Sequence, residues 1–177
     1  QMLSYEAPLL FSLLGVVMLT GSLRLDDIVQ MQAHNAWFIF VQPLAFVIFL
    51  IAAVAETNRT PFDLVEGESE IIAGPFTEYS GMRWALFFLA EYANLLTAAI
   101  LATTFFLGGY SGPSFLPGFV WFGLKALVMV FLIMWFRWTF PRTRVDQILT
   151  FGWKVLVPLS MINVFLTGVA MYVFGMV

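Results

Sequence analysis

Residues 56–91 read ETNRTPFDLVEGESEIIAGPFTEYSGMRWALFFLAE and hold seven of the chain's eleven carboxylates: Glu56, Asp63, Glu66, Glu68, Glu70, Glu78 and Glu91. The stretch begins at the end of one strongly apolar run and finishes inside the next. A carboxylate in lipid costs roughly 2.5–3.5 kcal/mol or more, so a membrane protein must keep such a segment in water or in a protein-lined cavity. The flanking runs decide the fold that carries it.

Of 177 residues, 61% are hydrophobic and 11% charged, with a mean hydropathy of +0.91; an ordinary soluble domain has about 25% charged residues. This is the composition of an integral membrane protein. At about 20 residues per span, the length holds four or five helices and no separate soluble domain. The expected fold is an all-α polytopic transmembrane helix bundle. One membrane domain covers 1–177, with five spans near 3–23, 37–56, 82–107, 117–138 and 153–175, and loops 57–81 and 139–152 on a common side.

The run before the acidic stretch is free of charge until Glu56, and Pro43 near its start reads as a first-turn proline or a mild kink. Within the stretch, Thr60 reads as an N-cap, Pro61 as the first helical residue and Asp63 as the closing acid of a capping box, which starts a short surface helix that Gly74-Pro75 stops. Arg59 is spaced to pair with Glu56 or Asp63. The run after it carries Glu91 about nine residues, or roughly 14 Å, from a start near Met82, close to the midplane of a layer about 30 Å thick. The first run carries Glu6 near its beginning and ends at Arg24, Asp26 and Asp27, in a polar stretch where His34 reads as a solvated loop residue. The fourth run is interrupted only by Lys125, and Arg137, Arg142, Arg144 and Asp146 mark the loop after it.

The chain has no cysteine, which excludes disulfides and thiolate-held zinc or iron–sulfur clusters within it. A net charge of −3 with no basic run excludes nucleic-acid binding. Phosphate-loop, zinc-protease and serine-hydrolase motifs are all missing, so NTPase and hydrolase readings have no support. Basic residues cluster on the side of the acidic loop, at Arg59, Arg83, Arg137, Arg142, Arg144 and Lys154, against Arg24 alone on the other. That asymmetry makes the loop side cytoplasmic, or the matrix side in a mitochondrion. Cysteines introduced as Glu68→Cys and Thr143→Cys are expected to react with an impermeant thiol reagent only in inside-out vesicles, and Ser111→Cys only in right-side-out ones. Equal labelling at positions 68 and 111 would reject the topology.

Glu6, Glu56 and Glu91 each fall in the cytoplasmic half of a span; each alone reads equally as a packing acid bonded to a neighbouring helix, but three on one side favour a polar path toward the membrane centre, with proton transfer as its natural chemistry. Lys125 falls at a similar depth from the opposite side. Two readings are open for it: a pair with Glu91 near the midplane, extending the path, or a side chain that snorkels to the outer surface or pairs with a different subunit.

Ala55 to Leu64 (AETNRTPFDL), Glu66 to Glu70 (EGESE), Glu78-Tyr79 and Leu86 to Tyr92 (LFFLAEY) resemble the H-type membrane subunit family of bacterial respiratory complex I, whose mitochondrial counterpart is NADH dehydrogenase subunit 1. Ser4-Tyr5-Glu6 and Pro141 to Gln147 (PRTRVDQ) are similar to other signatures of that family, with Val145 where many relatives have Tyr. The resemblance implies an eight-helix subunit of which this chain is the C-terminal half or slightly more, at the heel where the membrane arm meets the hydrophilic arm. It implies a non-redox membrane subunit of NADH:quinone oxidoreductase that helps form the quinone chamber and couples quinone reduction to proton translocation. Glu6, Glu56 and Glu91 match the family's intramembrane glutamates; Arg59, Phe62, Asp63, Glu66, Glu68, Glu70 and Glu78 match the loop beside the quinone, with Arg142, Arg144 and Asp146 as support. The implied substrate is quinone, and FMN and iron–sulfur clusters are expected on partner subunits. Other membrane and hydrophilic-arm subunits and lipid are the implied partners, in the bacterial cell membrane or the mitochondrial inner membrane. Two other classes use similar residues: a stand-alone proton- or cation-coupled transporter, disfavoured by the lack of an inverted repeat, and a ferredoxin- or hydrogenase-linked relative, disfavoured by the intact ETNRTPFD motif.

Overall fold

The computed structural model describes residues 2–57, 61–62, 80–113, 115–141 and 143–174. Among them all regular structure is helical: α1 (Met2–Thr20), α2 (Leu25–His34), α3 (Phe38–Val41), α4 (Pro43–Glu56), α5 (Met82–Phe106), α6 (Gly118–Thr139), α7 (Val145–Phe151), a π-turn (Gly152–Leu156) and α8 (Val157–Phe174). Four helical stretches are long and apolar enough to cross a membrane, Leu3–Thr20, Met82–Phe106, Gly118–Thr139 and Asp146–Val173, and Pro43–Glu56 is a shorter apolar helix. The polytopic all-α bundle expected from composition is the observed class.

Packing centres on α1, which lies against both α4 and α8, while α5 packs chiefly on α6. Small residues of α4 permit the close approach, since Ala45, Ala52, Ala53 and Ala55 are all buried. Large side chains such as Leu127, Phe131 and Trp135 of α6 and Phe165 and Tyr172 of α8 stay exposed. In a bilayer such surfaces face acyl chains or neighbouring helices.

Three elements differ from the sequence reading. The second span is not one helix with a mild kink: Gln42, at φ −129° and ψ 65°, separates the single turn α3 from α4, and Pro43 serves as a first-turn proline of the new helix. The polar stretch after α1 is helical rather than a loop, because Leu25, Ile28, Val29 and Gln32 fall on one face and the last three are buried there. His34, its last residue, is exposed. Residues 145–151, assigned from sequence to a loop, form α7, with Asp146 in its first turn and Ile148 buried. Between α7 and α8 the Val157 N–H reaches back five residues to the Gly152 carbonyl. Pro158 accounts for this wider turn, since it cannot donate to the Lys154 carbonyl and its ring crowds that oxygen.

Candidate functional site

Helix α4 presents two chemically different faces at its C-terminal half. On one, Phe49, Ala53 and Glu56 meet Glu6 of α1 and Asn94 and Thr97 of α5 around a cleft of about 300 Å³. The spacing of 49, 53 and 56 is that of a single helical stripe. Glu6 is exposed, whereas Glu56 and Glu91 are half-buried. The Asn94 side-chain amide donates to the backbone carbonyl of Glu56 at 3.4 Å, which ties α5 to the end of α4. Glu91 precedes Asn94 by three residues and so stands on the same side of α5, one turn nearer the acidic segment. The structure therefore brings Glu6 and Glu56 to one cleft, which Glu91 does not line.

The other face of α4 is wholly apolar. Val47, Leu50, Ile51 and Val54 line an open pocket of about 430 Å³ together with Pro61, Phe62, Phe136, Phe140 and Phe151. Phe62 also borders a neighbouring cavity of about 360 Å³ with Thr143, Gln147 and Ile148. Its ring packs on Tyr5 at a centroid distance of 5.5 Å and 53° tilt, and the Tyr5 hydroxyl donates to the Ile148 carbonyl at 3.5 Å. Thr143 donates twice to the Pro61 carbonyl, from its N–H at 3.1 Å and from its hydroxyl at 2.7 Å. The start of the acidic segment is thereby pinned to the segment leading into α7. Sequence reasoning selected Phe62 but missed Phe136, Phe140 and Phe151; Phe136 and Phe140, four residues apart, were the available signal.

Lys125 does not pair with Glu91. Its ammonium donates to the carbonyls of Leu107 at 2.7 Å, Gly109 at 3.1 Å and Ser111 at 2.6 Å, and lies 4.6 Å from the centroid of the Trp37 ring. Leu107 is about 24 Å along α5 from Glu91 at 1.5 Å per residue. The side chain therefore turns away from Glu91, but it is buried at the end of α5 rather than extended to an outer surface. The cause is local: α5 ends with carbonyls that have no further turn to bond to, at the negative end of its dipole. Positive φ at Gly108 and Gly109 (72° and 49°) curls the following carbonyls around the same point, and three N–H donors meet three acceptors. At the same end, the Tyr110 hydroxyl donates to Asp26 of α2 at 2.7 Å, and that bond raises the phenol's pKa above its ordinary value.

Arg59, Asp63, Glu66, Glu68, Glu70, Glu78 and Arg142 lie outside the described residues, as do the expected capping box at Thr60 and the surface helix after it. Arg144 is the N-cap residue of α7, and its N–H donates to the Gln147 side chain at 3.4 Å. Asp146, exposed in the first turn, sits favourably at the positive end of the helix dipole. Among the described residues no three His, Cys, Asp or Glu side chains gather as a metal site.

A bundle of long apolar helices with two carboxylates lining a cleft between them defines a polytopic membrane protein with an acidic site at one end of its spans. Residues 1–168 match the family model described as NADH dehydrogenase, and the chain belongs to that family. It is 55% identical over 180 residues to the H subunit of NADH-quinone oxidoreductase from Carboxydothermus hydrogenoformans, covering 100% of this chain and 51% of the relative. The same-named protein of Geobacillus kaustophilus is 60% identical over 172 residues, covering 96% and 51%. That of Bacillus cytotoxicus is 58% identical over 171 residues, covering 95% and 51%. The chain spans about half the length of the curated relatives it matches.

Proposed function

We propose that this chain is part of the non-redox membrane subunit of a proton-translocating NADH:quinone oxidoreductase, where it helps wall the quinone chamber and passes the consequence of quinone reduction to intramembrane glutamates. The observation that carries the reading is the two-faced α4, with an apolar cavity beside Phe62 on one side and the Glu6–Glu56 cleft on the other. The cavity is lined by aliphatic and aromatic groups, which suit an isoprenoid quinone. The cleft offers carboxylates that hold and release protons.

One helix separates the two, so a charge formed on the quinone side acts across about 10 Å of protein. At an effective dielectric of ~20, unit charges at that distance interact by roughly 1.7 kcal/mol. That corresponds to roughly a twentyfold change in proton affinity, since 1.36 kcal/mol is one pKa unit. A charge appearing during quinone reduction thus draws protons into the cleft without touching it. In this reading NADH oxidation, FMN and the iron–sulfur clusters belong to partner subunits of the membrane and hydrophilic arms. The exposed apolar faces of α6 and α8 meet lipid or those partners, in a bacterial cell membrane or the mitochondrial inner membrane.

Filling the apolar cavity tests the proposal. Val47 lines the cavity yet is 48% exposed, so Val47→Trp can reach into the space without repacking the buried core. In the assembled complex the KM for a short-chain quinone is expected to rise several-fold, while electron transfer from NADH to an artificial flavin-site acceptor is unchanged. Unaltered quinone kinetics with the indole in the cavity would place the quinone elsewhere.

A further inference from the structure

A second polar site lies on the other side of the molecule's centre, where the break between α3 and α4 meets α1 and α8. Gln42, the non-helical residue of that break, is 6% exposed. Its side-chain N–H groups donate to the Thr167 hydroxyl at 2.8 Å and the Gly15 carbonyl at 3.4 Å. The Thr167 hydroxyl donates in turn to the Asn163 carbonyl at 2.8 Å. These bonds fix the orientation of the Gln42 amide, because both groups facing its nitrogen are acceptors.

Two buried atoms at this junction have no hydrogen-bond partner: the Gln42 Oε1 acceptor and the Asn163 Nδ2 donor. Asn163 is also 6% exposed. Both atoms lie 3.2 Å from the point where a Cβ on Gly15 would stand. They therefore flank one point beside Gly15, where a methyl group would be in tight contact with both, yet they do not bond each other. An unmet buried donor or acceptor costs roughly 1–3 kcal/mol, and no bulk solvent reaches the interior of a membrane span to relieve it.

We propose that Gly15, Gln42 and Asn163 form a binding site for one ordered water molecule, which accepts from Asn163 Nδ2 and donates to Gln42 Oε1. The unmatched pair selects this ligand. A cation would meet the Gln42 oxygen but be repelled by the Asn163 N–H, and an anion would face the reverse conflict. A water molecule presents both a lone pair and an O–H, and buried waters characteristically join two to four otherwise unsatisfied polar groups. Ser12 and Ser160 are buried in the same helices, but their hydroxyls already donate to the Leu9 and Val157 carbonyls. Gly15 stands about 14 Å along α1 from Glu6 at 1.5 Å per residue, so the site is separate from the acidic cleft. The water fastens the interrupted second span to α1 and α8 at the residue where its backbone leaves the helix.

A density map of the whole complex at a resolution that shows ordered waters tests this directly. The expected result is an isolated peak about 2.7–3.2 Å from both Gln42 Oε1 and Asn163 Nδ2. In Gly15→Ala, whose methyl group enters the same space, that peak is expected to disappear. The wild-type map alone can overturn the proposal: a direct Gln42–Asn163 hydrogen bond with no peak, or a peak ringed by five or more oxygens as a metal cation requires, would each do so. A peak unmoved in Gly15→Ala would equally reject the role given to Gly15.

Discussion

Replacing Glu56 with Gln in the assembled complex is expected to lower coupled proton translocation by about tenfold or more and to leave NADH oxidation by an artificial acceptor intact. Positioned proton-transfer groups contribute typically ~10²–10⁴-fold to the steps they serve, and the amide keeps the size of the carboxyl group while removing its titration. Of the two carboxylates of the cleft, Glu56 is the one nearer the apolar cavity in sequence, because Val54 lines the cavity two residues earlier. Glu56→Asp, which retains the acid on a shorter arm, should recover part of the loss. Proton translocation at the wild-type stoichiometry in Glu56→Gln would remove Glu56 from the path. A parallel loss of quinone reduction and of NADH oxidation would instead point to failed assembly.

The second large effect is on stability, at Lys125. Lys125→Met keeps the apolar stem and deletes three donors, leaving the Leu107, Gly109 and Ser111 carbonyls without the ammonium. Hydrogen bonds to charged groups contribute about 1.5–3 kcal/mol each, and relief of the buried ammonium's own desolvation offsets part of the loss. A net cost of about 3 kcal/mol then raises the local opening of the α5–α6 turn by roughly a hundredfold. The Gly109 and Ser111 amides, bonded to the Thr103 and Gly108 carbonyls, should exchange with deuterium faster by that factor. Unchanged exchange at both amides would show that the ammonium does not hold the turn. Proton translocation is expected to survive in whatever fraction of Lys125→Met assembles, since Lys125 lies far from the glutamates. Loss of translocation in well-assembled enzyme would restore a role for it in the path.

The class of fold and the placement of the apolar runs are legible in the linear chain, because hydropathy over about 20 residues is a local property that a bilayer reads directly. Helix α5 begins at Met82, the start inferred from its pattern, and Pro43 opens a helix as its fixed φ prescribes. The motifs around Glu6, Glu56 and Glu91 were legible too, since charge inside an apolar run stands out. What those groups face emerges only from the packed bundle. Whether Lys125 turned inward to Glu91 or outward depended on three carbonyls that a pair of positive-φ glycines gathers at the end of α5, and depth along a span carries no information about such a cradle. The aromatic wall of Phe136, Phe140 and Phe151 and the orphaned amides of Gln42 and Asn163 likewise arise only when distant helices meet. A side chain's partner is chosen by three-dimensional geometry, whereas its preference for lipid or water is chosen by its own chemistry.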